Sequence, residues 1–445
     1  MLPALSAYLS TRLIDRADGH RRSVLARYQQ VGKSDFYSPH LREERVAVAL
    51  ADLLNHAREH VPAFRDRLPK GSISPDSACA ALAQVPPMRR ADIQENPTAY
   101  IAQNAVGLVD DHTGGSTGTP MTFKVDRATQ RAREASLMWA NSLAGWRFGQ
   151  RIAMLWGSDR DTKAAFRDWR LNLRWWLDNM RWYNAFSMGE REMEAFHRAM
   201  THFRPHLLVA YAGSLQVYAR YLEDTKQVPA YPLTSMVSSA ELLTPDARGD
   251  AERVFKRRVF DRYGNREAGA IAAECELHNG LHVNEHDFVV EIDSAHPTQE
   301  PGPLLITYLA NRAMPLIRYD TGDLAVWSKS NCACGRTTRR IARIVGRQAD
   351  TIRTAHGNLI HGEFFTHVMY GATGVQAFQF VQETLHRYRM RVVADRIRPE
   401  QEAEWRKKIL PMLGTGSEFV VELVDDIPVL PSGKRRFTLS SLPLT

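Results

Sequence analysis

Cysteine is scarce in this sequence, with four in 445 residues. So few cysteines do not form the disulfide framework of a secreted protein, and they predict a reducing compartment and a cytoplasmic chain. Long apolar runs are absent as well, since none approaches the roughly 18 residues that a membrane helix needs. The apolar start of the chain is interrupted early by Arg12, Asp15 and Arg16, which is atypical of a secretory signal. The sequence therefore predicts no secretion and no membrane insertion.

Internal repeats, low-complexity tracts and runs of basic residues are also missing. The net charge is nevertheless +8, which suits nucleic acid, an anionic membrane surface, an acidic protein or a polyphosphate ligand. Hydrophobic residues make up 44% of the chain and charged residues 24%, as is typical of globular proteins. The length predicts two or three domains.

One segment, "RDWRLNLRWWLDNMRW", interleaves arginine with tryptophan as a surface for single-stranded nucleic acid would. Its apolar residues fall on one helical stripe, with the arginines mostly outside it. The stripe consists of Trp169, Leu173, Trp176, Leu177 and Met180. We therefore favour an amphipathic helix that faces the core, and we expect no nucleic-acid binding.

The order of secondary-structure signals predicts an α/β fold. Residues 1–105 have a mainly helical pattern, and from about residue 150 short apolar runs such as "RIAMLWG" and "HLLVAYAG" alternate with helical segments. Such alternation is typical of a largely parallel sheet. The runs from "LHVNEHDFVVEIDS" to "GDLAVWS" indicate antiparallel strands, and an α+β pattern follows "ARIVGRQAD". We predict a large domain over residues 1–345 and a small domain over residues 346–445.

Two common phosphate-binding motifs are absent, namely the P-loop and the dinucleotide fingerprint. The stretch "DHTGGSTGTP" at residues 111–120 suits a phosphate cradle through its glycines and hydroxyls, but it suits an inert loop equally well. Three other stretches place charge in loops. Glu267 follows a strand-like run, Asp320 and Asp323 flank a turn in "PLIRYDTGDLA", and Lys434 lies in "PVLPSGKRRF". Each stretch alone is more typical of a solvated loop than of a site.

In their order along the chain, these stretches resemble the motifs of the adenylate-forming superfamily, which includes acyl-CoA synthetases, adenylation domains and luciferases. "TGGSTGTP" is similar to its phosphate loop, "YGNRE" to its Tyr-Gly-x-Thr-Glu motif and "YDTGD" to its ribose-binding motif. "GRQAD" is similar to its hinge and "PSGKRRF" to its catalytic-lysine loop. The chain most resembles the phenylacetate–CoA ligase branch and its capsule-biosynthesis relatives, nearly from end to end.

The resemblance implies a large N-terminal domain that binds ATP and an acid, and a small mobile C-terminal domain that carries the catalytic lysine. Lys434 would bridge the carboxylate and the α-phosphate, and Glu267 would hold Mg²⁺. Tyr263 would stack near adenine, Asp323 would bind the ribose, and Asp350 would belong to the hinge. The other implied ATP-binding residues are Thr113, Gly115, Ser116, Thr117, Gly118, Glu241, Gly264 and Arg347. The residues implied to line the acid are Tyr211, Ala212, Gly213, Ser239 and Ala240.

The implied activity is the ATP-dependent conversion of a carboxylic acid to an acyl-AMP, with release of pyrophosphate. The acyl group would then pass to a phosphopantetheine thiol of CoA or of an acyl carrier protein. The branch favours aromatic acids such as hydroxybenzoate or phenylacetate, and seven of the nine tryptophans lie between residues 139 and 182, where they suit a flat acyl pocket as well as a core. The positive net charge suits an acidic carrier protein, although CoA is anionic too. We expect a monomer or a homodimer.

Three positions depart from the usual superfamily pattern. Thr119 replaces a lysine at the end of the phosphate loop, Arg266 replaces the threonine before Glu267, and Ala349 replaces an acid in the hinge. Arg266 leaves open the alternative of a catalytically degenerate module that binds ATP. An amide-forming or nucleotidyl-transferring relative, with an amine in place of the thiol, is a second alternative.

Three of the four cysteines form two short clusters, "CELH" with Cys275 and His278, and "CACG" with Cys332 and Cys334. Three thiolates and one imidazole are a tetrahedral ligand set for Zn²⁺. His282 or His286 are alternatives to His278, and reduced, unpaired cysteines are the alternative to a metal. Similar cysteines in related ligases imply a structural ion, and four protein ligands leave no open position for catalysis.

Overall fold

A computed structural model of the protein describes residues 19–112, 121–156, 169–185, 188–347, 351–357, 359–369, 372–428, 437–440 and 442. Within this part of the chain, no helix is long and apolar enough to cross a membrane. The predicted fold class is confirmed: the protein is mixed α/β, with a large sheet-rich domain and a small C-terminal domain.

The helices of the described residues are numbered in chain order. They are α1 (His20–Ser34), α2 (Pro39–His60), α3 (Pro75–Gln84), α4 (Arg90–Glu95), α5 (Arg127–Leu143), α6 (Trp169–Leu177), α7 (Glu190–Phe203), α8 (Ala212–Asp224), α9 (Pro245–Phe255), α10 (Glu363–Met369) and α11 (Pro399–Leu413). Short 3₁₀ helices cover Pro62–Phe64 and Pro97–Tyr100.

The strands are numbered in the same way. They are β1 (Val109–His112), β2 (Thr122–Val125), β3 (Ile152–Leu155), β4 (Met180–Tyr183), β5 (Leu207–Ala210), β6 (Ser235–Ser239), β7 (Val259–Asn265), β8 (Gly269–Glu274), β9 (Leu281–Val283), β10 (Phe288–Ile292), β11 (Gly302–Tyr308), β12 (Tyr319–Trp327), β13 (Arg340–Arg347), β14 (Thr351–Arg353), β15 (Leu359–His361), β16 (Val375–Gln382), β17 (Arg387–Ala394), β18 (Glu418–Leu423) and β19 (Thr438–Ser440).

Local sequence signals account for where several helices begin. Ser38 caps α2 by accepting a hydrogen bond from the backbone N–H of Leu41 at 3.3 Å, and Pro39 occupies the first helical position. Asp126 caps α5 in the same way, with 2.7 Å between its Oδ1 and the backbone nitrogen of Thr129. These caps satisfy backbone N–H groups that have no partner inside the helix.

The large sheet has eleven strands in the order β10-β11-β12-β13-β9-β8-β7-β6-β5-β3-β4. Strands β4, β3, β5, β6 and β7 pair in parallel, and every pair from β7 to β10 is antiparallel. The parallel strand β5 is buried along its whole length. Leu208 packs with α7 and α8 on one face, and Val209 packs with α1 and α5 on the other. Because helices cover both faces of β5, its side chains on both faces are apolar and the strand is a continuous apolar run in the sequence.

The N-terminal helices are attached to the antiparallel half of this sheet. Met88 forms a parallel bridge with Tyr319 of β12, through its N–H to the carbonyl of Arg318 and its carbonyl to the N–H of Asp320, both 2.9 Å. Buried residues of α2 and α3, such as Leu54 and Leu82, share one hydrophobic core with β11 and β12. The mainly helical region is thus part of the large domain.

The C-terminal strands form a separate sheet in the order β18-β17-β16-β19, next to the two-stranded sheet of β14 and β15. Its core is distinct from the others and contains Phe365, Phe380, Tyr388 and Trp405. Strand β13 of the large sheet extends to Arg347. The division between residues 345 and 346 stays a prediction.

The segment rich in tryptophan and arginine forms helix α6, but its predicted core-facing orientation is wrong. Trp169, Leu173 and Trp176 are exposed, whereas Leu177 is buried. The nine-residue helix is held by other contacts: Trp175 stacks on Trp182 with 5.3 Å between ring centroids, and Arg174 pairs with Glu134 at 2.6 Å. The apolar stripe therefore predicted a helix correctly but did not predict which side of the helix faces the core.

A buried carboxyl group joins α1 to the rest of the domain. Asp35, 2% exposed, accepts a hydrogen bond at Oδ2 from Trp139 Nε1 at 2.9 Å, and its backbone oxygen accepts from the N–H of Thr337 at 2.8 Å. Among the described residues, no donor reaches Oδ1 of Asp35. Burial raises the pKa of this carboxyl to about 7, against the opposing effects of Trp139 and Arg336.

The raised pKa of Asp35 predicts a loss of stability as the pH rises. The folded state keeps the Asp35 proton up to about pH 7, whereas the unfolded chain releases it near the ordinary pKa of 3.8. The protonated carboxyl therefore stabilises the fold at low pH, and this stabilisation is lost as the pH rises from about 4 to about 7. In the wild type, the free energy of unfolding should fall by about 1 kcal/mol per pH unit between pH 5 and 7, and Asp35→Asn should abolish this fall. Urea-unfolding midpoints at both pH values test this, with Asp52→Asn as the exposed control. Equal pH dependence in wild type and Asp35→Asn would contradict it.

Candidate active site and metal centre

The carboxyl ends of the parallel strands bring the predicted acid-binding residues to one edge of the sheet. The registers pair Leu155 with Ala210 and Ala210 with Ser238, so the residues that follow β3, β5 and β6 lie side by side. Ligands of open α/β sheets bind at this edge. Trp156 and Tyr211 stack there, with 4.3 Å between ring centroids and 24° between ring planes.

The segment after β6 contacts the start of α8. The backbone N–H of Gly213 donates to Glu241 Oε2 at 2.9 Å. Ala212 and Ser239 are buried, while Gly213, Ala240 and Glu241 are exposed. Ala240 has a φ of 67°, a left-handed conformation that a side chain adopts only at a cost. The five predicted acid-binding residues therefore lie around the same strand ends, and Glu241 is their neighbour.

The predicted nucleotide-binding residues of β7, β12 and β13 are joined by short polar contacts. The Tyr263 hydroxyl donates to Asp323 Oδ2 at 2.7 Å, and Arg347 Nε lies 3.2 Å from Asp323 Oδ1. Asp323 and Arg347 are direct partners in the β12–β13 register. Burial and the adjacent Asp323 carboxylate raise the pKa of Tyr263, so its hydroxyl stays a donor. Tyr263, Asp323 and Arg347 therefore form one connected polar group.

Position 264 needs a glycine because the neighbouring backbone leaves no room for a Cβ atom. It lies at a register shift in the β7–β8 pair, and a Cβ atom there would lie 2.2 Å from the carbonyl oxygen of Gly269. The tight turn that follows is closed by Asn265, whose Oδ1 accepts from the N–H of Ala268 at 2.9 Å. The turn places Glu267 against β12.

Glu267 is buried, and its Oε1 accepts a hydrogen bond from the Tyr319 hydroxyl at 3.2 Å. Burial raises the pKa of Glu267, and the positive charges of Arg90 and Arg347 oppose the shift. A buried carboxylate among positive side chains is a hard oxygen ligand of the kind that Mg²⁺ prefers. The residues present therefore fit the Mg²⁺ that the resemblance implies.

Tyr319 and Arg90 were missed by sequence reasoning. Tyr319 is the first residue of "YDTGD", but nothing in the sequence indicated that its hydroxyl reaches Glu267. Arg90 lies two residues after Met88, whose bridge to Tyr319 brings the start of α4 to the site. No local pattern signals that contact.

Several predicted residues fall outside the described part of the chain. They are Thr113, Gly115, Ser116, Thr117 and Gly118 of the phosphate loop, Asp350 of the hinge, and Lys434. The flanks of the loop are described: β1 and β2 form an antiparallel hairpin in which His112 is opposite Thr122, with 3.0 Å between His112 Nδ1 and Thr122 Oγ1. Arg266 Nη1 donates to the carbonyl oxygen of His112 at 3.2 Å, which connects the hairpin to the Glu267 turn.

A second cluster lies on the antiparallel half of the sheet. Cys275 follows β8, His282 lies on β9, and Cys332 and Cys334 lie between β12 and β13, with one ligand atom of each within 4.8 Å of all the others. The two Sγ atoms of Cys275 and Cys332 are 3.7 Å apart, and Cys334 Sγ is 3.4 Å from His282 Nε2. Three thiols and an imidazole fit a tetrahedral Zn²⁺ site.

The structure places His282, the alternative to His278, beside the three cysteines, so we propose His282 as the fourth ligand. The His278 Nδ1 atom lies 3.0 Å from Glu274 Oε2, and its ring packs on Phe260 with 4.4 Å between centroids. His282 pairs with Ala273 of β8 and with Arg340 of β13, which aims it at the cysteines. Its Nδ1 contacts Thr338 Oγ1 at 3.0 Å, as the second nitrogen of a metal-bound histidine commonly does.

Burial and the charges of Arg336 and Arg340 lower the pKa of His282 to about 4. The imidazole is therefore neutral at neutral pH, as a metal ligand must be.

We expect about one zinc ion per chain, lost in the His282→Ala and Cys332→Ser variants. His278→Ala is the matched control and should retain the ion, because His278 lies outside the cluster. Metal content measured by mass spectrometry after gel filtration tests this. A wild-type protein without metal, or zinc lost from the His278 variant and kept in the His282 variant, would contradict the assignment.

The sequence is similar to known proteins over part or most of its length. Residues 352–441 match the family model of the CapK C-terminal domain. Protein CapK of Staphylococcus aureus is 23% identical over 402 residues, covering 88% of this chain and 87% of CapK. The phenylacetate–coenzyme A ligase of Thermus thermophilus is 31% identical over 159 residues, covering 34% of this chain and 36% of that enzyme.

Among solved structures, a 2-hydroxyisobutyryl-CoA ligase in the postadenylation state superposes with a TM-score of 0.67. The two sequences are 16% identical, and the match covers 91% of each chain. At this identity the likeness shows the fold alone.

Proposed function

Since the chain belongs to the adenylate-forming superfamily, in the branch of CapK and the phenylacetate–coenzyme A ligases, we propose that it is an ATP-dependent acid–thiol ligase. One observation carries this proposal. The parallel registers bring the segments after β5 and β6, which carry Tyr211 and Glu241, to the edge of the sheet where β7 ends. Tyr263 of β7 is in turn joined to Asp323, which pairs with Arg347 in the antiparallel half.

In the first half-reaction, a carboxylate oxygen of the acid would attack the α-phosphorus of ATP. The bond from the α-phosphorus to the bridging oxygen breaks, and pyrophosphate leaves with that oxygen and the bonding electrons. Asp323, held by Tyr263 and Arg347, would accept hydrogen bonds from the ribose hydroxyls, because a carboxylate oxygen has lone pairs beyond those already used. Lys434 would contact both the carboxylate and the α-phosphate, whose negative charges must approach each other.

Glu267 would hold Mg²⁺, which neutralises charge on the triphosphate. Tyr319 positions the Glu267 carboxylate through its hydroxyl, and Arg90 adds positive charge from the N-terminal helices. The glycines and hydroxyls of residues 113–118 would bind the β- and γ-phosphates. In the second half-reaction, the thiol sulfur attacks the acyl carbon, AMP leaves, and the thiol proton passes to solvent or to a base.

For the acid we propose an aromatic carboxylate. The stacked pair of Trp156 and Tyr211 at the strand ends offers a flat apolar surface beside the predicted acid-binding residues. Aromatic rings prefer such offset-stacked neighbours. The acceptor would be CoA or an acyl carrier protein, and the enzyme would act as a monomer or a homodimer in the cytoplasm.

Pyrophosphate release from ATP, measured across a panel of carboxylic acids, tests the activity. We expect release stimulated by aryl acids, and a roughly 100- to 1,000-fold loss in Lys434→Ala and in Glu267→Gln. Lys408→Ala is the control for Lys434, because Lys408 is a surface lysine of α11 paired with Glu404. ATP binding without acid-dependent release would favour a degenerate module, and release stimulated only by an amine would favour an amide-forming enzyme.

Tyr211→Ala tests the acyl pocket. Loss of the stacked ring should raise the KM for an aryl acid roughly tenfold and leave the KM for ATP unchanged. Trp176→Ala removes an exposed aromatic ring of α6 and should change neither constant. If the Tyr211 variant instead raised the KM for ATP alone, Tyr211 would belong to the nucleotide site.

A further inference from the structure

A cavity of about 480 Å³ lies at the β10 edge of the large sheet. Its wall includes Val290 and Ile292 of β10, Trp327 at the end of β12, and the residues that precede and begin β13. None of the predicted site residues lines it, and Trp327 is four residues beyond Asp323 on β12, about 13 Å along an extended strand. Its volume falls within the usual range of small-molecule sites. The cavity is therefore a candidate ligand site separate from the proposed nucleotide site.

Basic side chains dominate the charge of this cavity. Lys329, Arg339 and Arg340 contribute three cations, and Glu291 is the one acid among the described residues that line it. Arg318 engages both carboxylate oxygens of Glu291, with 3.1 Å from Nη2 to Oε1 and 3.1 Å from Nε to Oε2. Since Glu291 already has this partner, it does not cancel the positive charge of the lining residues.

Arg339 is held at the cavity by an aromatic ring. Its guanidinium carbon lies 3.7 Å from the centroid of the Trp327 ring. A cation over an aromatic face is attracted by the ring, and this contact does not use the N–H donors of the guanidinium. The neighbouring carboxylate of Glu285 is bound by Arg42 Nε at 2.9 Å and by the backbone N–H of Arg339 at 3.1 Å. Within the described part of the chain, the Arg339 side chain therefore keeps its donors for a ligand.

Arg340 holds the segment that carries Lys329. Its side chain is 3% exposed, and Nη2 donates to the carbonyl oxygen of Ser330 at 2.7 Å and to Ser328 Oγ at 3.1 Å. These oxygens carry no net charge, and Nε of Arg340 has no hydrogen-bond partner among the described residues. The buried guanidinium thus fixes the cavity wall on this side and adds positive charge behind it.

We propose that this cavity is a second ligand site, which binds a phosphate monoester of a small organic molecule. A phosphate monoester carries close to two negative charges at neutral pH and has three terminal oxygens, so it accepts hydrogen bonds from several donors at once. Arg339 would bind two of these oxygens with its planar fork, and Lys329 would neutralise the remaining charge. Ser328 and Thr298 supply hydroxyls in the same wall, and the apolar part beside Trp327 would hold the organic group.

Calorimetric titration with phenyl phosphate tests this site, with phenol as the matched compound that lacks the anion. We expect the wild type to bind phenyl phosphate more tightly than inorganic phosphate, which leaves the apolar wall uncovered, and we expect no binding of phenol. Arg339→Gln should weaken the binding of phenyl phosphate roughly 10- to 100-fold, the effect of losing charge-assisted hydrogen bonds. Ser330→Glu adds a negative charge at an exposed position of the wall and should weaken binding at least as much.

The matched control is Arg343→Gln, which removes the same charge from an exposed residue of β13 outside the cavity and should leave the dissociation constant unchanged. Ser330→Glu keeps Arg339 in place, so it tests the site even if the Arg339 variant is unstable, and thermal midpoints show which variants are folded. No binding of phenyl phosphate to the wild type up to about 10 mM would overturn the proposal. Equal affinities in the wild type, Arg339→Gln and Ser330→Glu would also overturn it, because the ligand would then bind elsewhere. Equal affinities for phenyl phosphate and phenol, or for phenyl phosphate and inorganic phosphate, would contradict the assignment of a monoester.

Discussion

Strand β7 pairs in parallel with β6 on one side and antiparallel with β8 on the other, and this change of direction places the whole proposed site. The reversal needs a tight return of the chain, which Gly264 permits by letting the backbone approach Gly269 closely. The parallel half then ends at the same edge where the antiparallel half presents β12 and β13. The residues predicted to bind the acid follow strands of the parallel half, and those predicted to bind the nucleotide lie on β7, β12 and β13, so strand β7 connects the two sets.

The acids at this junction are held by positive side chains and hydroxyls from distant parts of the chain. Asp323 is joined to Tyr263 and Arg347, and Glu267 is joined to Tyr319 with Arg90 nearby. Burying these carboxylates costs free energy, and that cost is offset by the positive charges and hydrogen bonds directed at them. Such an arrangement suits a ligand that brings both a cation and an anion.

Much of the fold could be predicted from local sequence, because apolar runs and caps act over a few residues. The buried run of β5 was evident in this way, whereas the outward orientation of Trp169 depends on contacts made elsewhere by α6. At the metal cluster, spacing indicated three cysteines but not the histidine, since the strand register decides which imidazole turns inward. Tyr319 and Arg90 could not be predicted at all, because their roles arise from contacts between distant segments.

The bridge between Met88 and Tyr319 has a consequence for synthesis of the protein. A contact between segments so far apart closes a long loop. Closing this loop costs conformational entropy, which disfavours the contact until the intervening strands have formed. As the chain leaves the ribosome from its N-terminus, the helices that carry Arg90 emerge long before β12 and β13 exist to receive them. Until then the apolar faces of α2 and α3 lack the sheet that covers them, so this early-made region depends on the last strands of the large domain for its final packing.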